Sequence, residues 1–306
     1  FRSGEFKTTA ERTNLLIMLN SKDRQNSKFF ISGVATVTIK GGIFHGFNPS
    51  LVGDDNGATS IEDIKFVNGC AEGYGPVKIG ENLYGVYSVN TLVAKIGTIY
   101  YNTFASALAA VQNGETIELL DIEGNENTEI EFEKAIGFTI TGSAPKYALP
   151  VVTFQNATVN IKDATILIPE LDARQNATIN VNNSRVYNSG NDGIVKSYYN
   201  GAINIDKTST VYTMQVTTMG YITVAGTLNA TWQTNVYGNG LITLNEGAKF
   251  NTAALQLTGK EYSGRDNTDA ERVGKPAEII VNGGANFVVG SVKSSSGADY
   301  SYNSSK

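Results

Sequence analysis

The chain is poor in the residue types on which most protein chemistry depends. Its 306 residues include one Cys, one His, one Trp and six Pro, and only 17% of them are charged. The single Cys70 excludes an internal disulfide and any metal site built from several cysteines, and it is typical of a small buried hydrophobe. The single His45 excludes a multi-histidine zinc site and argues against a Ser-His-Asp triad.

Two further absences narrow the function classes. A formal charge of −5 without clustered Lys and Arg argues against a nucleic-acid partner. No apolar run approaches the ~20 residues of a membrane-spanning helix, so we expect no membrane span in this chain. The chain opens "FRSGEF" without Met or a signal peptide, which predicts a processed protein or an excised fragment.

Gly, Asn and Thr are abundant instead, as is typical of strands and turns. A short pattern of alternating apolar and polar residues followed by a turn recurs along the second half. Its first apolar positions are Val159, Ile179, Ile203, Ile222, Ile242 and Ile279, with gaps of 20, 24, 19, 20 and 37 residues. The long gap contains a polar insertion at 260–276, and upstream "GFTITGS" and "ETIELLD" add Phe138 and Ile117 as further anchors.

This period predicts an all-β solenoid with coils of about 20 residues and one short capping helix. One coil cannot bury its apolar face alone, whereas stacked coils bury a continuous apolar column. Backbone hydrogen bonds would then join coils about 4.8 Å apart.

The residues between the paired apolar positions should point outwards and form a mainly structural ladder of Asn and Thr. They are Thr139, Asn160, Asn180, Asn204, Thr223 and Thr243. Glycosylation sequons at Asn156, Asn176 and Asn229 are interpreted as coil corners, because the turn favours Asn and the following strand favours Thr.

Composition along the chain predicts five segments. They are the end of a first solenoid segment (1–47), a cap or spacer with a hairpin (48–92), a hairpin-helix cap (93–115), the main solenoid (116–290) and a polar tail (291–306). In the third segment Thr103 is the predicted N-cap of an amphipathic helix that Gly114 ends.

Two stretches carry a family resemblance. "AKIGTIYYNTFASALAAVQNGETIELL" (94–120) resembles the unit that introduces β-helical segments in large surface proteins of Gram-positive and gut bacteria. "GGIFHGFNPS" (41–50) and "FVNGCAEGYGPVKIGENLYGVYSV" (66–89) resemble a block in gut-bacterial surface proteins and in the tail fibres of their phages. The resemblance implies an extracellular, right-handed, pectate-lyase-like parallel β-helix, and it supplies no catalytic residues.

The acidic residues offer two sites with competing interpretations. Asp54, Asp55 and Glu62 form either a solvated turn or a weak calcium site, since the EF-hand spacing fails. Glu129, Glu131 and Glu133 alternate with apolar residues, and they form either a charged strand face or a carboxylate pair for glycoside hydrolysis. Residues 150–255 hold few Lys and Arg, and the sequence indicates no acid cluster near them, so we predict no catalytic residue and no cofactor other than calcium.

Exposed tyrosines are the best candidates for ligand contact. Tyr187 and Tyr212 occupy matching places just after the inward Val186 and Val211, and Tyr198 and Tyr199 lie nearby. Exposed aromatic rings stack on sugar rings, so these four are predicted glycan contacts, with isolated surface tyrosines as the alternative. Trp232 is predicted to be buried.

The sequence therefore favours a non-enzymatic structural or adhesive module on an extracellular bacterial surface, binding glycans or self-associating through solenoid ends. The alternatives are a phage tail fibre or other virion surface protein, and a β-helical polysaccharide lyase or glycoside hydrolase.

Overall fold

A computed structural model describes residues 5–6, 17–19, 29–31, 39–45, 70–81, 83–188, 193–258, 276–294 and 299–300. The chain divides into two compact units, residues 1–107 and 108–306. The five finer segments predicted from the sequence stay predictions.

The first unit contains short strands and two antiparallel hairpins. Its strands are β1 (Glu5–Phe6), β2 (Ile17–Leu19), β3 (Phe29–Ile31), β4 (Gly42–His45), β5 (Tyr74–Gly80), β6 (Leu83–Ser88), β7 (Ala94–Ile96) and β8 (Ile99–Tyr101), with a 3₁₀ turn at Val89–Thr91. Strands β1 and β4 pair in parallel, as do β2 and β3. The β5–β6 hairpin lies in the "GPVKIGENLYGVYSV" stretch, where the sequence predicted one.

One α-helix, α1 (Phe104–Ala110), occurs among the described residues. The backbone N–H of Ser106 donates to Oγ of Thr103 at 3.0 Å, which confirms the predicted N-cap. Gly114 follows the helix with φ +83°, a conformation that glycine adopts without strain. The predicted apolar face is buried, at Phe104, Leu108 and Val111.

The second unit is a parallel β-solenoid of about eight coils, which confirms the predicted fold class. Its strands are β9 (Thr116–Leu119), β10 (Gly124–Asn125), β11 (Glu129–Phe132), β12 (Gly137–Ala148), β13 (Val151–Gln155), β14 (Thr158–Ile168), β15 (Glu170–Arg174), β16 (Thr178–Asn182), β17 (Arg185–Asn188), β18 (Ile194–Ser197), β19 (Ala202–Ile205), β20 (Thr210–Thr218), β21 (Tyr221–Val224), β22 (Thr227–Val236), β23 (Leu241–Leu244), β24 (Lys249–Leu257), β25 (Glu278–Val281), β26 (Asn286–Ser294) and β27 (Asp299–Tyr300).

Successive coils contribute to three parallel sheets, named here I, II and III. Sheet I contains residues 137–140 of β12, 158–162 of β14, and β16, β19, β21, β23 and β25. Sheet II contains 142–144 of β12, 164–168 of β14, β17, 210–213 of β20, 227–230 of β22, 249–252 of β24 and 286–289 of β26. Sheet III contains β11, β13, β15, β18, 215–218 of β20, 233–236 of β22, 254–257 of β24 and 291–294 of β26.

The predicted apolar anchors form one column of sheet I. Phe138, Val159, Ile179, Ile203, Ile222, Ile242 and Ile279 pair coil to coil in register. From Phe138 to Ile242 the column is buried, with Val159 and Ile203 both 0% exposed, whereas Ile279 at its end is partly exposed. Because alternate residues face inwards, the predicted Asn and Thr ladder lies on the outside, and it pairs in the same register.

Two details of the repeat differ from the prediction. Ile117 pairs with Ile140 rather than with Phe138, because the turn that ends at Gly114 already takes the place opposite Gly137, with Gly114 N–H donating to its carbonyl at 2.6 Å. The anchor assigned to Ile117 was therefore wrong by two residues.

The sequons do not all mark corners. Asn156 has φ +58° and occupies a corner, whereas at the next corner the left-handed residue is Gln175 (φ +53°), immediately before Asn176. Asn229 lies inside β22 on sheet II, where its Oδ1 accepts a hydrogen bond from Asn251 at 2.6 Å. The corner interpretation is wrong for Asn229, which belongs to a side-chain ladder instead.

The last described coil is more open than those before it. Val281 is 47% exposed although it continues the column of Val224 and Leu244, both 0% exposed. Ile280 and Val288 are also exposed, at 38% and 50%. Apolar side chains thus reach the surface at β25 and β26.

Candidate functional site

The outward surface of sheet III carries a row of polar side chains, named here the polar track. Its members pair in register on successive coils: Thr153, Asp172, Lys196, Thr217, Asn235 and Gln256. For the first five members the residues before and after are buried, so strand alternation places the side chain outwards; Gln256 continues the register, although Leu257 after it is 37% exposed. Parallel strands place consecutive members about 4.8 Å apart.

Several track residues are buried although they point away from the core. Thr153, Asp172, Thr217 and Asn235 are 7%, 0%, 4% and 3% exposed. Long side chains two residues away on the same strand fold over them. Nε2 of Gln215 donates to Oγ1 of Thr217 at 2.9 Å, and Nε2 of Gln233 donates to Oδ1 of Asn235 at 2.8 Å.

Asp172 has the most unusual environment on the track. Its Oδ2 accepts from Nε and Nη2 of Arg174, at 2.9 and 2.6 Å, and from Oγ1 of Thr153 at 3.3 Å. Among the described residues, its Oδ1 has no hydrogen-bond partner although the side chain is wholly buried. A buried carboxylate oxygen without a partner is energetically costly, so native proteins rarely keep one without a purpose.

A second ion pair lies beside the first. Nζ of Lys196 contacts Oε2 of Glu170 at 2.7 Å, and both side chains are about one-fifth exposed (18% and 21%). The Arg174 guanidinium also lies over the Tyr198 ring, 5.7 Å from its centroid, in cation–π geometry. Two carboxylates and two cations are therefore grouped on neighbouring coils, and their formal charges cancel.

Burial raises the pKa of the Asp172 carboxyl above its ordinary value, and the hydrogen bond and positive charge of Arg174 offset only part of that rise. The carboxyl is consequently easier to protonate than a surface aspartate.

This cluster corrects the prediction that no acids accompany the few basic residues of the main solenoid. The signal was present in "ELDAR", where Glu170, Asp172 and Arg174 alternate with the inward Leu171 and Ala173. Alternation places the three charged side chains on one face. Lys196 comes next to Asp172 only through the register between coils, which a separation of 24 residues in sequence conceals.

The predicted tyrosine pair lies on sheet II. Tyr187 and Tyr212 are in register, and their rings stack in parallel with centroids 5.2 Å apart and planes 2° apart. Tyr212 is 42% exposed, and Tyr187 is partly buried beside it. The rings therefore cover each other face to face across two adjacent coils, and Tyr212 is the more exposed of the two.

The other predicted aromatic contacts are placed differently. Tyr198 is only 6% exposed and lies beneath Arg174, so it offers no open face to a sugar ring. Tyr199 occupies a coil corner with φ +58°, an unusual conformation for a bulky residue. Trp232, predicted to be buried, is 52% exposed, because β22 bulges between Ala230 and Gln233 and breaks the alternation there.

The acidic and metal candidates give no defined centre. Asp54, Asp55 and Glu62 lie outside the described residues. Glu129 and Glu131 are exposed on β11, and Glu133 is exposed directly after its end; Glu131 pairs with Thr153 of the polar track. Within the described ranges, no group of three or more His, Cys, Asp or Glu side chains could hold a metal ion.

Partial burial raises the pKa of the Cys70 thiol to about 11, which keeps it in the unreactive protonated form.

Comparison with protein-family models, with curated proteins and with solved structures returns no match. Among the described residues, no helix combines the length and the apolar character that a membrane crossing requires.

Proposed function

We propose that the protein is a non-enzymatic structural and adhesive module of an extracellular bacterial surface protein. The observation that carries the proposal is the coil-to-coil register of its outward side chains. Nδ2 of Asn180 donates to Oδ1 of Asn160 at 3.0 Å, and Nδ2 of Asn204 donates to Oδ1 of Asn180 at 2.9 Å. Such ladders hold one coil to the next and repeat the same surface chemistry along the solenoid axis.

The repeated surface supports an adhesive role because a polymer with repeating units meets the same groups on each coil. The Tyr187 and Tyr212 rings each cover one face of the other, and Tyr212 is still 42% exposed, so the open part of its ring and its hydroxyl group are available for contact with a sugar ring. The resemblance of residues 41–50, 66–89 and 94–120 to surface-protein blocks supports the extracellular, bacterial setting.

A glycan array combined with a turnover assay tests the proposal. We expect retention of at least one glycan class, weakened in a Tyr187→Ala, Tyr212→Ala double variant, without release of reducing ends or unsaturated uronates. Catalytic turnover of any polysaccharide would overturn the non-enzymatic part. Failure to retain any glycan would overturn the adhesive part.

A β-helical glycoside hydrolase is the second candidate, and the Glu170–Asp172 pair favours it. Two residues apart on one strand face, their Cα atoms are roughly 6.6 Å apart, which brings two carboxyls close enough for acid–base hydrolysis. The raised pKa of Asp172 suits a general acid. However, both carboxylates are engaged in ion pairs, Glu170 with Lys196 and Asp172 with Arg174, so neither stands free as the base or nucleophile that hydrolysis requires. Binding is therefore the better-supported function.

Self-association through solenoid ends stays a prediction. The exposed apolar side chains of β25 and β26 are where a neighbouring strand would pair. Light scattering over a range of concentrations tests this, and a strictly monomeric species at high concentration would contradict it.

A further inference from the structure

We propose that the polar track on sheet III binds a neutral, hydroxyl-rich glycan chain that runs parallel to the solenoid axis, with Asp172 as its central contact. This inference rests on the adhesive function proposed above, and it adds a site on a different sheet from the tyrosine pair together with the chemical class of the ligand.

The charge balance of the site selects a neutral ligand. Glu170 is paired with Lys196, and Asp172 with Arg174, through contacts of 2.7 and 2.6 Å. A polyanion would have to pull a cation from its carboxylate and leave that carboxylate unpaired, partly out of water. A polyol leaves both pairs intact, because hydroxyl groups add hydrogen bonds without adding charge.

The unpartnered Oδ1 of Asp172 supplies a specific acceptor. Oδ2 is saturated by Arg174 and Thr153, whereas Oδ1 accepts nothing from the described residues. A ligand hydroxyl that donates to Oδ1 would satisfy it. Because the Asp172 side chain is 0% exposed, the side chains around Oδ1 must shift to admit that hydroxyl, while Arg174 keeps its two bonds to Oδ2 and both ion pairs stay intact.

The neighbouring coils extend the same chemistry in the direction of the axis. Thr217 and Asn235 continue the track, and Gln215 and Gln233 cover them with amide groups that both donate and accept. These four side chains are uncharged, so the track becomes more neutral as it leaves the ion pairs. Because Thr217 and Asn235 are themselves buried, the covering amides of Gln215 and Gln233, on paired strands about 4.8 Å apart, are the groups that meet successive units of an extended sugar chain.

Isothermal titration with defined hexasaccharides tests the inference. The probes are neutral hexamers of glucose, mannose, galactose and xylose, compared with a hexamer of galacturonate. We expect at least one neutral hexamer to bind more tightly than galacturonate, with an affinity that changes little between low and high salt.

Two variants locate the site. In Asp172→Asn the amide oxygen stays towards Arg174, which puts an NH₂ donor where Oδ1 was, and we expect at least a tenfold loss of affinity. Asn235→Leu removes the polar group three coils further along and should cost a similar factor. Asn180→Thr on sheet I is the matched control and should bind as the wild type does, and thermal unfolding checks that all three fold. If Asp172→Asn does not fold, Thr217→Val replaces it.

The outcomes separate the two proposals. Neutral binding that survives both track variants and is lost in the Tyr187→Ala, Tyr212→Ala variant would overturn the track but leave the adhesive function standing. Binding of galacturonate alone, weakened by salt, would overturn the ligand class. Absence of binding to every hexamer and every arrayed glycan would overturn both proposals.

Discussion

Sheets I and III of the second unit present two outward faces built on the same register but with different chemistry. The sheet I ladder contains only Asn and Thr, all partly exposed, and neighbouring Asn side chains hydrogen-bond each other at 2.9 and 3.0 Å. The sheet III track mixes charged and neutral groups, its Asp172 is 0% exposed, and one carboxylate oxygen is left without a partner among the described residues.

The difference shows how one scaffold separates stability from recognition. On sheet I the Asn side chains bond one another from coil to coil, and no described side chain of that ladder is buried without a partner. On sheet III the groups change from coil to coil and are covered by long flanking side chains. Such an arrangement costs stability, and native proteins keep it where a site requires it. Four predictions test this contrast.

The largest expected effect is at Asp172. Asp172→Ala leaves the largely buried Arg174 guanidinium without its carboxylate, and we expect the free energy of unfolding to fall by about 3 kcal/mol. Urea unfolding followed by circular dichroism measures it. Asp172→Asn, which keeps an acceptor for Arg174, is the matched control and should lose much less. Equal losses of unfolding free energy in the two variants would show that Asp172 does not stabilise the protein through its ion pair with Arg174.

Substitutions on the outward face of sheet I should lower the free energy of unfolding by less than Asp172→Ala does, and a conservative replacement there should be tolerated. Asn180→Ala removes hydrogen bonds to Asn160 and Asn204 and should cost about 1 kcal/mol of unfolding free energy. Asn180→Thr should cost less, because Thr223 and Thr243 occupy the same column two and three coils further along. A loss in Asn180→Thr as large as that in Asp172→Ala would remove the contrast between the faces.

The tyrosine pair on sheet II should matter little for stability. Tyr212→Ala removes one ring of an exposed stack and is expected to cost roughly 0.5 to 1 kcal/mol of unfolding free energy. Tyr212→Phe keeps the stack and should be close to neutral. A loss well above that of Asn180→Ala would make the pair a structural element rather than a binding surface.

The smallest effect is a difference in pH dependence. Because the pKa of Asp172 is raised on folding, the folded state holds its proton more tightly than the unfolded state, whose value is near 3.8. The wild type should therefore lose stability relative to Asp172→Asn as pH rises from 3.8 through the raised value.

The pKa of Asp206 shifts in the opposite direction. Partial burial raises the pKa of its carboxyl, but hydrogen bonds from Ser209, Thr208 and Asn183 lower that pKa by more, so the net shift is downwards. The ionised carboxyl therefore stabilises the folded state, and this stabilisation grows as pH rises through the lowered pKa. Taking the difference between wild type and Asp172→Asn at each pH cancels this contribution. Parallel stability curves for the two proteins would contradict the assignment of Asp172.

The sequence predicts the scaffold far better than the site, for a physical reason. Inward columns must be apolar at a fixed period, so the pattern at Val159, Ile179 and Ile203 reveals both fold and register. The pattern fails where a bulge breaks the alternation, as in β22, where Trp232 is exposed. It also fails at the start of the solenoid, where the turn that ends at Gly114 shifts Ile117 by two residues.

The contacts within the polar track cannot be predicted from the alternation of apolar and polar residues. Asp172 and Lys196 meet only because two strands 24 residues apart pair in register, and the coil between them is longer than its neighbours. Burial of an outward aspartate depends on where Arg174 places its side chain, which alternation does not specify. The "ELDAR" stretch gave the face of each charge but not the partner on the next coil.

The most direct test of the division between the faces is an NMR footprint of backbone amides, recorded with a saturating neutral hexasaccharide that binds in titration. The account predicts shifts concentrated in β15, β18 and residues 215–218 and 233–236, with β16, β19 and β21 unchanged. Shifts concentrated in β16, β19 and β21, with sheet III silent, would contradict it.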